Sequence, residues 1–164
     1  MANNDMLIKL FNMDIDWSFI SQQAERQVTI RKPIGPDRSA VHSWAEKHFP
    51  QTWLGEFQHA LNNTPCSCFI AQRESSLLGI ACYDATALGY FGPLGVVGSA
   101  RGNGIGSSLT RACLLDMRLK GYGYAVVGMA GMPDFYRKVA NAVEIPNSSP
   151  GIYQSTLALI APPD

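Results

Sequence analysis

Leu88 to Gly121 reads LGYFGPLGVVGSARGNGIGSSLTRACLLDMRLKG, and this stretch decides the fold. Its first part is apolar and aromatic and predicts a strand over 87–97. Its middle is crowded with glycine, at Gly98, Gly102, Gly104 and Gly106. Its last part predicts a helix over 104–120. Ile105, Leu109, Ala112, Cys113 and Met117 recur at the 3.6-residue period, and Gly121 stops the helix. A strand that runs through a glycine turn into a helix is built to hold an anion. Glycines let backbone N–H groups approach a phosphate with no Cβ in the way. The helix start adds unpaired N–H groups and the positive end of the dipole. The turn is not a Walker A loop, because no Gly-Lys-Ser/Thr follows. It is not a dinucleotide fingerprint either, because the Gly-x-Gly-x-x-Gly spacing is absent.

Outward from this stretch, the pattern predicts alternating elements. Upstream, 28–32 (VTIRK) is β-branched and alternating, and reads as the first strand of a domain over 27–164. Residues 1–26 read as an N-terminal extension packed on that domain, with a helix over 17–27 capped by Asp14 or Asp16. Helices follow over 38–48 and 53–62, broken at Phe49-Pro50, with Thr52 a candidate cap. Residues 66–73 and 77–84 form a hairpin around Glu74 to Ser76. Downstream, 125–129 (AVVGM) is a strand buried on both faces. Pro133 opens a helix to about residue 139. Residues 143–146 and 152–160 read as a closing pair of strands. Asp116 and Lys120 are spaced to pair on the wet side of the long helix.

Composition bounds the function. The 164 residues fit one domain of ordinary size. With 46% hydrophobic and 16% charged residues the chain is globular in composition. Thirteen basic and thirteen acidic side chains cancel, so bulk charge points to neither nucleic acid nor a membrane surface. The N-terminal residues include Asp5 and Lys9 and hold no long apolar run, so neither a signal peptide nor a membrane span is expected. Cys66, Cys68, Cys82 and Cys113 lack zinc or thioredoxin spacing, and read as reduced thiols of a cytoplasmic protein with no metal.

Val96-Val97-Gly98-Ser99-Ala100-Arg101-Gly102-Asn103-Gly104-Ile105-Gly106, with Phe135-Tyr136 one strand later, resembles the GNAT superfamily of acetyl-CoA-dependent N-acetyltransferases. Arg101, Gly104 and Gly106 match that family's Arg/Gln-x-x-Gly-x-Gly/Ala turn. The order of elements over about 28–160 is similar too. The chain departs from the pattern at Gly98, where proline is common, and at Met129, where asparagine is common.

The resemblance implies an α/β (α+β) fold. Its mixed, mostly antiparallel central sheet is flanked by helices, and a splayed strand pair holds acyl-CoA. It implies acetyl-CoA as co-substrate and direct attack by the amine of a small molecule or peptide. Gly95, Val96, Val97, Arg101, Gly102, Asn103, Gly104, Ile105, Gly106 and Ser107 are the expected cofactor contacts. The Val96 backbone N–H is the expected oxyanion donor, and Tyr136 the expected general acid. The base is not singled out: Glu56, Asp84 and Glu144 are candidates. A non-catalytic acyl-CoA sensor keeps the turn without acid or base, and stays open. So does a homodimer.

Overall fold

The computed structural model describes residues 3–157. Among these the elements run β1 (Met6–Lys9), α1 (Ser18–Glu25), β2 (Thr29–Arg31), α2 (Arg38–His48), α3 (Gln51–Asn62), β3 (Cys68–Arg73), β4 (Ser76–Tyr83), β5 (Tyr90–Val96), α4 (Ile105–Lys120), β6 (Tyr124–Val127), α5 (Pro133–Ala140) and β7 (Val143–Glu144). Short 3-10 turns span Gly35–Asp37, Gly98–Ala100 and Gly151–Ser155. The seven strands form one sheet in the order β2-β3-β4-β5-β6-β1-β7. Every pairing is antiparallel except β5 with β6, which is parallel.

The sheet carries a core on each face. On one, α4 packs Ile105, Leu109, Ala112, Cys113 and Met117 against Phe69, Ala81, Phe91 and Val127. The apolar stripe of the long helix is therefore its buried face, as its 3.6 period predicts. On the other, α2 and α3 bring Val41, Ala45, Phe57 and Leu61 onto Ile70, Ile80 and Cys82. There Phe49 lies flat against Gly95. A Cβ on Gly95 would stand 2.4 Å from the ring, so only glycine admits this approach.

The N-terminal segment departs from its reading as an extension. Met6–Lys9 is a strand inside the sheet, paired with β6 on one side (Met6↔Val127) and β7 on the other (Met6↔Glu144). Its alternation places Met6, Ile8 and then Leu10 in the core, each at most 1% exposed. At the other end, Gly151–Ser155 is a 3-10 turn rather than strand, because Pro150 and Gly151 open it. Residues 158–160 of the expected last strand lie outside the described residues.

Local spacing also misassigned partners. Asp116 does not pair with Lys120. It accepts from Tyr83 Oη at 2.6 Å and pairs with Lys32 at 2.8 Å. Lys120 turns instead to Asp84, at 3.5 Å. Thr52 is not a cap: α3 begins at Gln51, behind Pro50. Asp16 does close the start of α1, accepting from Ser18 N at 2.9 Å.

Candidate functional site

β5 is asymmetric, and that creates the site. Along one edge it stays paired with β4 as far as Gly79↔Val96. Along the other it meets β6 only at Tyr90↔Val126 and Phe91↔Val127. Where the two part, Gly92 and Pro93 together face Cys82 of β4, which is a bulge. Gly92 takes φ +119, a conformation suited to glycine, and Pro93 has no N–H to leave unpaired. Beyond the bulge, from Gly92 to Val96, one backbone edge of β5 is open. Val97 N donates to Leu78 O at 2.9 Å. N–H groups alternate edges along a strand, so the Val96 N–H points into the open slot. The Val96 carbonyl shares that edge and accepts from Arg101 Nε at 3.2 Å.

The glycine turn lies at the head of the slot. Arg101, Gly102, Asn103 and Gly104 are exposed. Gly102 and Gly104 take φ +85 and +75, left-handed values that turn the chain into α4. The amides from Gly102 through Ser107 find no acceptor among the described residues; the next, Ser108 N, closes onto Gly104 O at 2.9 Å. A run of unpaired amides at a helix start carries positive potential. Gly106 keeps the approach clear: a Cβ there would stand 3.7 Å from Val96 Cγ2 and 3.8 Å from the Phe135 ring.

Helix α1 braces this turn from outside. Gln23 Nε2 donates to Asn103 O at 3.0 Å and to Ser108 Oγ at 3.2 Å. Arg26 Nη1 reaches the same Asn103 O at 2.6 Å. Between α1 and α4 a shallow hollow of about 250 Å³ is lined by Gln22, Arg26, Ser107 and Arg111. Neither Gln23 nor Arg26 stood out in the sequence. The available signal was Gln23 itself, a polar side chain one turn after Phe19 on the buried face of α1.

Tyr136 stands where β5 and β6 separate. It packs edge-on against Phe91 at 6.0 Å between centroids, and against Phe135 at 5.1 Å. Only 5% of it is exposed, and its hydroxyl has no hydrogen-bond partner among the described residues. Burial pushes its pKa up, so the phenol stays protonated. Phe135, Tyr136 and Val96 thus form one continuous wall from turn to bulge.

The candidate bases separate sharply. Asp84 is 3% exposed and fully engaged. It accepts from Gly89 N at 2.8 Å and from Tyr122 Oη at 2.8 Å, and pairs with Lys120. A carboxylate held by three donors fastens the β4–β5 loop, and its buried oxygens are turned to those donors. Glu144 sits exposed on the sheet's edge strand, bonded by Asn4 Nδ2 at 2.7 Å. Glu56 differs: it is half-buried on α3 and accepts from Thr86 Oγ1. Burial raises its pKa above the ordinary carboxylate value, and the Thr86 bond only partly opposes this. Glu56 lies on α3, which packs on the face of the sheet opposite α4.

Among the described residues, no three His, Cys, Asp or Glu side chains gather to hold a metal ion, and no helix is long and apolar enough to cross a membrane. No curated protein matches the chain in sequence. In three dimensions it is similar to a GCN5-related glucosamine N-acetyltransferase region of a fungal multi-domain GH3 β-N-acetylglucosaminidase, with TM-score 0.71 and 13% identity. It is similar also to a GCN5-related N-acetyltransferase from Kribbella flavida (TM-score 0.55, 12%) and to a Drosophila protein (0.54, 15%). These likenesses cover 87–88% of the chain but only 20%, 55% and 47% of the respective proteins, and are likenesses of fold. The sequence model of the acetyltransferase (GNAT) family matches residues 37–140, from the start of α2 to the end of α5. That span is well over half of the chain and contains the turn, the slot and Tyr136: the chain belongs to the GNAT family of acetyltransferases.

Proposed function

We propose that this protein transfers an acetyl group from acetyl-CoA to an amine by direct attack, with both substrates bound together. The observation that carries the reading is the run of unpaired amides from Gly102 to Ser107, opening onto the free edge of β5. Six N–H groups at a helix start suit a diphosphate, and charge-assisted bonds of this kind are worth about 1.5–3 kcal/mol each. Arg26, Arg101 and Arg111 surround the turn and add positive charge. The Val96 N–H points to where the thioester oxygen would lie, and stabilises the negative charge that develops there; one such donor is worth about 3 kcal/mol.

Glu56 takes a proton from the acceptor's ammonium group. The freed lone pair attacks the acetyl carbon, and the carbon–sulfur bond breaks. Tyr136 gives its proton to the departing sulfur as the C–S bond lengthens and takes up the second proton that the attacking nitrogen sheds, so the phenol is restored and CoA leaves as the thiol. Asp84 takes no part. Calorimetry with acetyl-CoA and a thiol-release assay over an amine panel test the reading. Micromolar binding with thiol release supports it; binding without release for any amine favours a non-catalytic acyl-CoA sensor.

A further inference from the structure

The first turn of α4 has two sides. Gly106 faces Val96 and Phe135 across the slot. Gly104, Ser107, Ser108 and Arg111 instead line the hollow against α1, together with Gln23 and Arg26. This hollow of about 250 Å³ adjoins the run of unpaired amides, since Ser107 contributes to both. Helix α1 precedes residue 37, so its wall of the hollow lies outside the span that the family model matches.

The lining of the hollow holds an unsatisfied acceptor. Gln23 is only 5% exposed. Its Nε2 donates to Asn103 O at 3.0 Å and to Ser108 Oγ at 3.2 Å. A backbone carbonyl only accepts, so the amide is fixed in this sense. Oε1 is the atom left over, and it has no hydrogen-bond partner among the described residues. A buried acceptor without a donor costs free energy, which a hydroxyl or amine of a ligand offsets.

The charge of the hollow is of one sign. Arg26 and Arg111 line it, and no aspartate or glutamate does. Arg26 spends Nη1 on Asn103 O at 2.6 Å, and its guanidinium donates no other hydrogen bond among the described residues. Arg111 makes no ion pair or hydrogen bond among them. A single exposed carboxylate, Asp16, feels its charge, and that carboxylate is turned to Ser18 N. Two guanidiniums with donors to spare, beside a serine hydroxyl and free amides, suit a phosphate monoester. Gln23 Oε1 adds a demand for a donor in the same hollow. A bare inorganic anion meets only the first demand. A phosphorylated sugar, with a hydroxyl next to its phosphate, meets both.

Acetyl-CoA carries such a group on the opposite side of its diphosphate from the thioester: a ribose with a 3′-phosphate and a free 2′-hydroxyl. The turn likewise has the slot on one side and the hollow on the other. We infer that the hollow receives this phosphorylated ribose, with Arg26 and Arg111 on the 3′-phosphate and Gln23 Oε1 accepting from the 2′-hydroxyl, and that α1 thereby makes the chain selective for the 3′-phosphorylated carrier. The inference rests on the acetyl-transfer reading above.

Calorimetry with acetyl-CoA and with 3′-dephospho-acetyl-CoA on the unaltered chain tests it. The dephospho form is expected to bind about tenfold more weakly, the scale of charge-assisted bonds at an exposed site, and the gap is expected to narrow as salt is raised. A 2′-deoxyribose analogue is expected to bind about fivefold more weakly than acetyl-CoA, and unchanged affinity overturns the part given to Gln23. Arg111→Gln alters one exposed side chain. It is expected to weaken acetyl-CoA about fivefold and to leave the dephospho form within about twofold. Arg26→Gln also loosens the Asn103 brace, so both carriers weaken, acetyl-CoA the more. Equal affinity for the two carriers, or a gap of full size in both variants, overturns the inference. So does inorganic phosphate that binds the chain already saturated with acetyl-CoA, since the hollow then serves a separate anion. The carrier comparison needs no variant, so it stands even where a variant fails to fold. Absence of binding by either carrier overturns the acetyl-transfer reading itself. Equal, tight binding of both with thiol release leaves that reading intact and removes this inference alone.

Discussion

At the scale of the residue, Tyr136 is defined by what it lacks. Its ring is buried among aromatic side chains, while its hydroxyl has no protein partner among the described residues and leaves a hydrogen bond for a ligand to fill. The proposed sulfur would do so. Tyr136→Phe removes only the hydroxyl and keeps the packing on Phe91 and Phe135. It is expected to leave acetyl-CoA affinity intact and to slow turnover on the order of 100-fold; full turnover in single-turnover measurements would exclude the acid role. Gly106→Val tests the turn more cleanly than a change at Gly104. Gly104 needs a positive φ, whereas Gly106 does not, and its Cβ would meet only ordinary contacts. The branched side chain then screens the amides without unfolding the turn. Loss of two charge-assisted bonds predicts an acetyl-CoA Kd raised on the order of 100-fold, read by calorimetry, with little change in Tm. As the proposed base, Glu56 is expected to set the pH dependence. Its pKa is raised by burial, and the base form is the unprotonated one, so kcat/KM is expected to rise with pH through a value above the ordinary carboxylate range. Glu56→Gln should remove that limb along with most of the activity; a limb that survives identifies another base.

At the scale of the element, the strand–turn–helix was legible because all its information is local. The period of α4, the glycines before it and Gly121 after it each act within a few residues. The bulge was not legible, since it depends on Gly92 and Pro93 meeting one residue of β4. The same distinction separates Glu56 from Asp84. Both are carboxylates near predicted element ends, and only the fold reveals that Tyr122, Lys120 and Gly89 consume one of them. Gly95 illustrates a constraint that sequence conceals altogether: nothing near it in the chain announces that Phe49 will lie on it. Gly95→Ala is expected to cost about 1–3 kcal/mol by overpacking, measured by urea unfolding. Phe49→Leu in the same chain should recover part of the loss, whereas additive losses would place the strain elsewhere.

At the scale of the whole molecule, β1 is what joins the ends of the chain. Its segment is plainly apolar in the sequence, yet its partners lie near residues 124–127 and 143–144, beyond the reach of any local pattern. Burial of Met6, Ile8 and Leu10 at about 1.5–3 kcal/mol each approaches the full stability of an ordinary domain. Removal of residues 1–10 is therefore expected to abolish cooperative thermal unfolding by circular dichroism. A sigmoidal transition near the wild-type midpoint would show the strand to be dispensable.

The position of β1 also has a temporal meaning. A ribosome makes this strand well before either of its neighbours, with more than a hundred residues between them. At about 5–20 residues per second, Met6, Ile8 and Leu10 wait on the order of 10 seconds in water before any docking surface has emerged. The nascent segment therefore stays adhesive until its two partner strands have been made. Its zipping into the sheet must await residues 124–144.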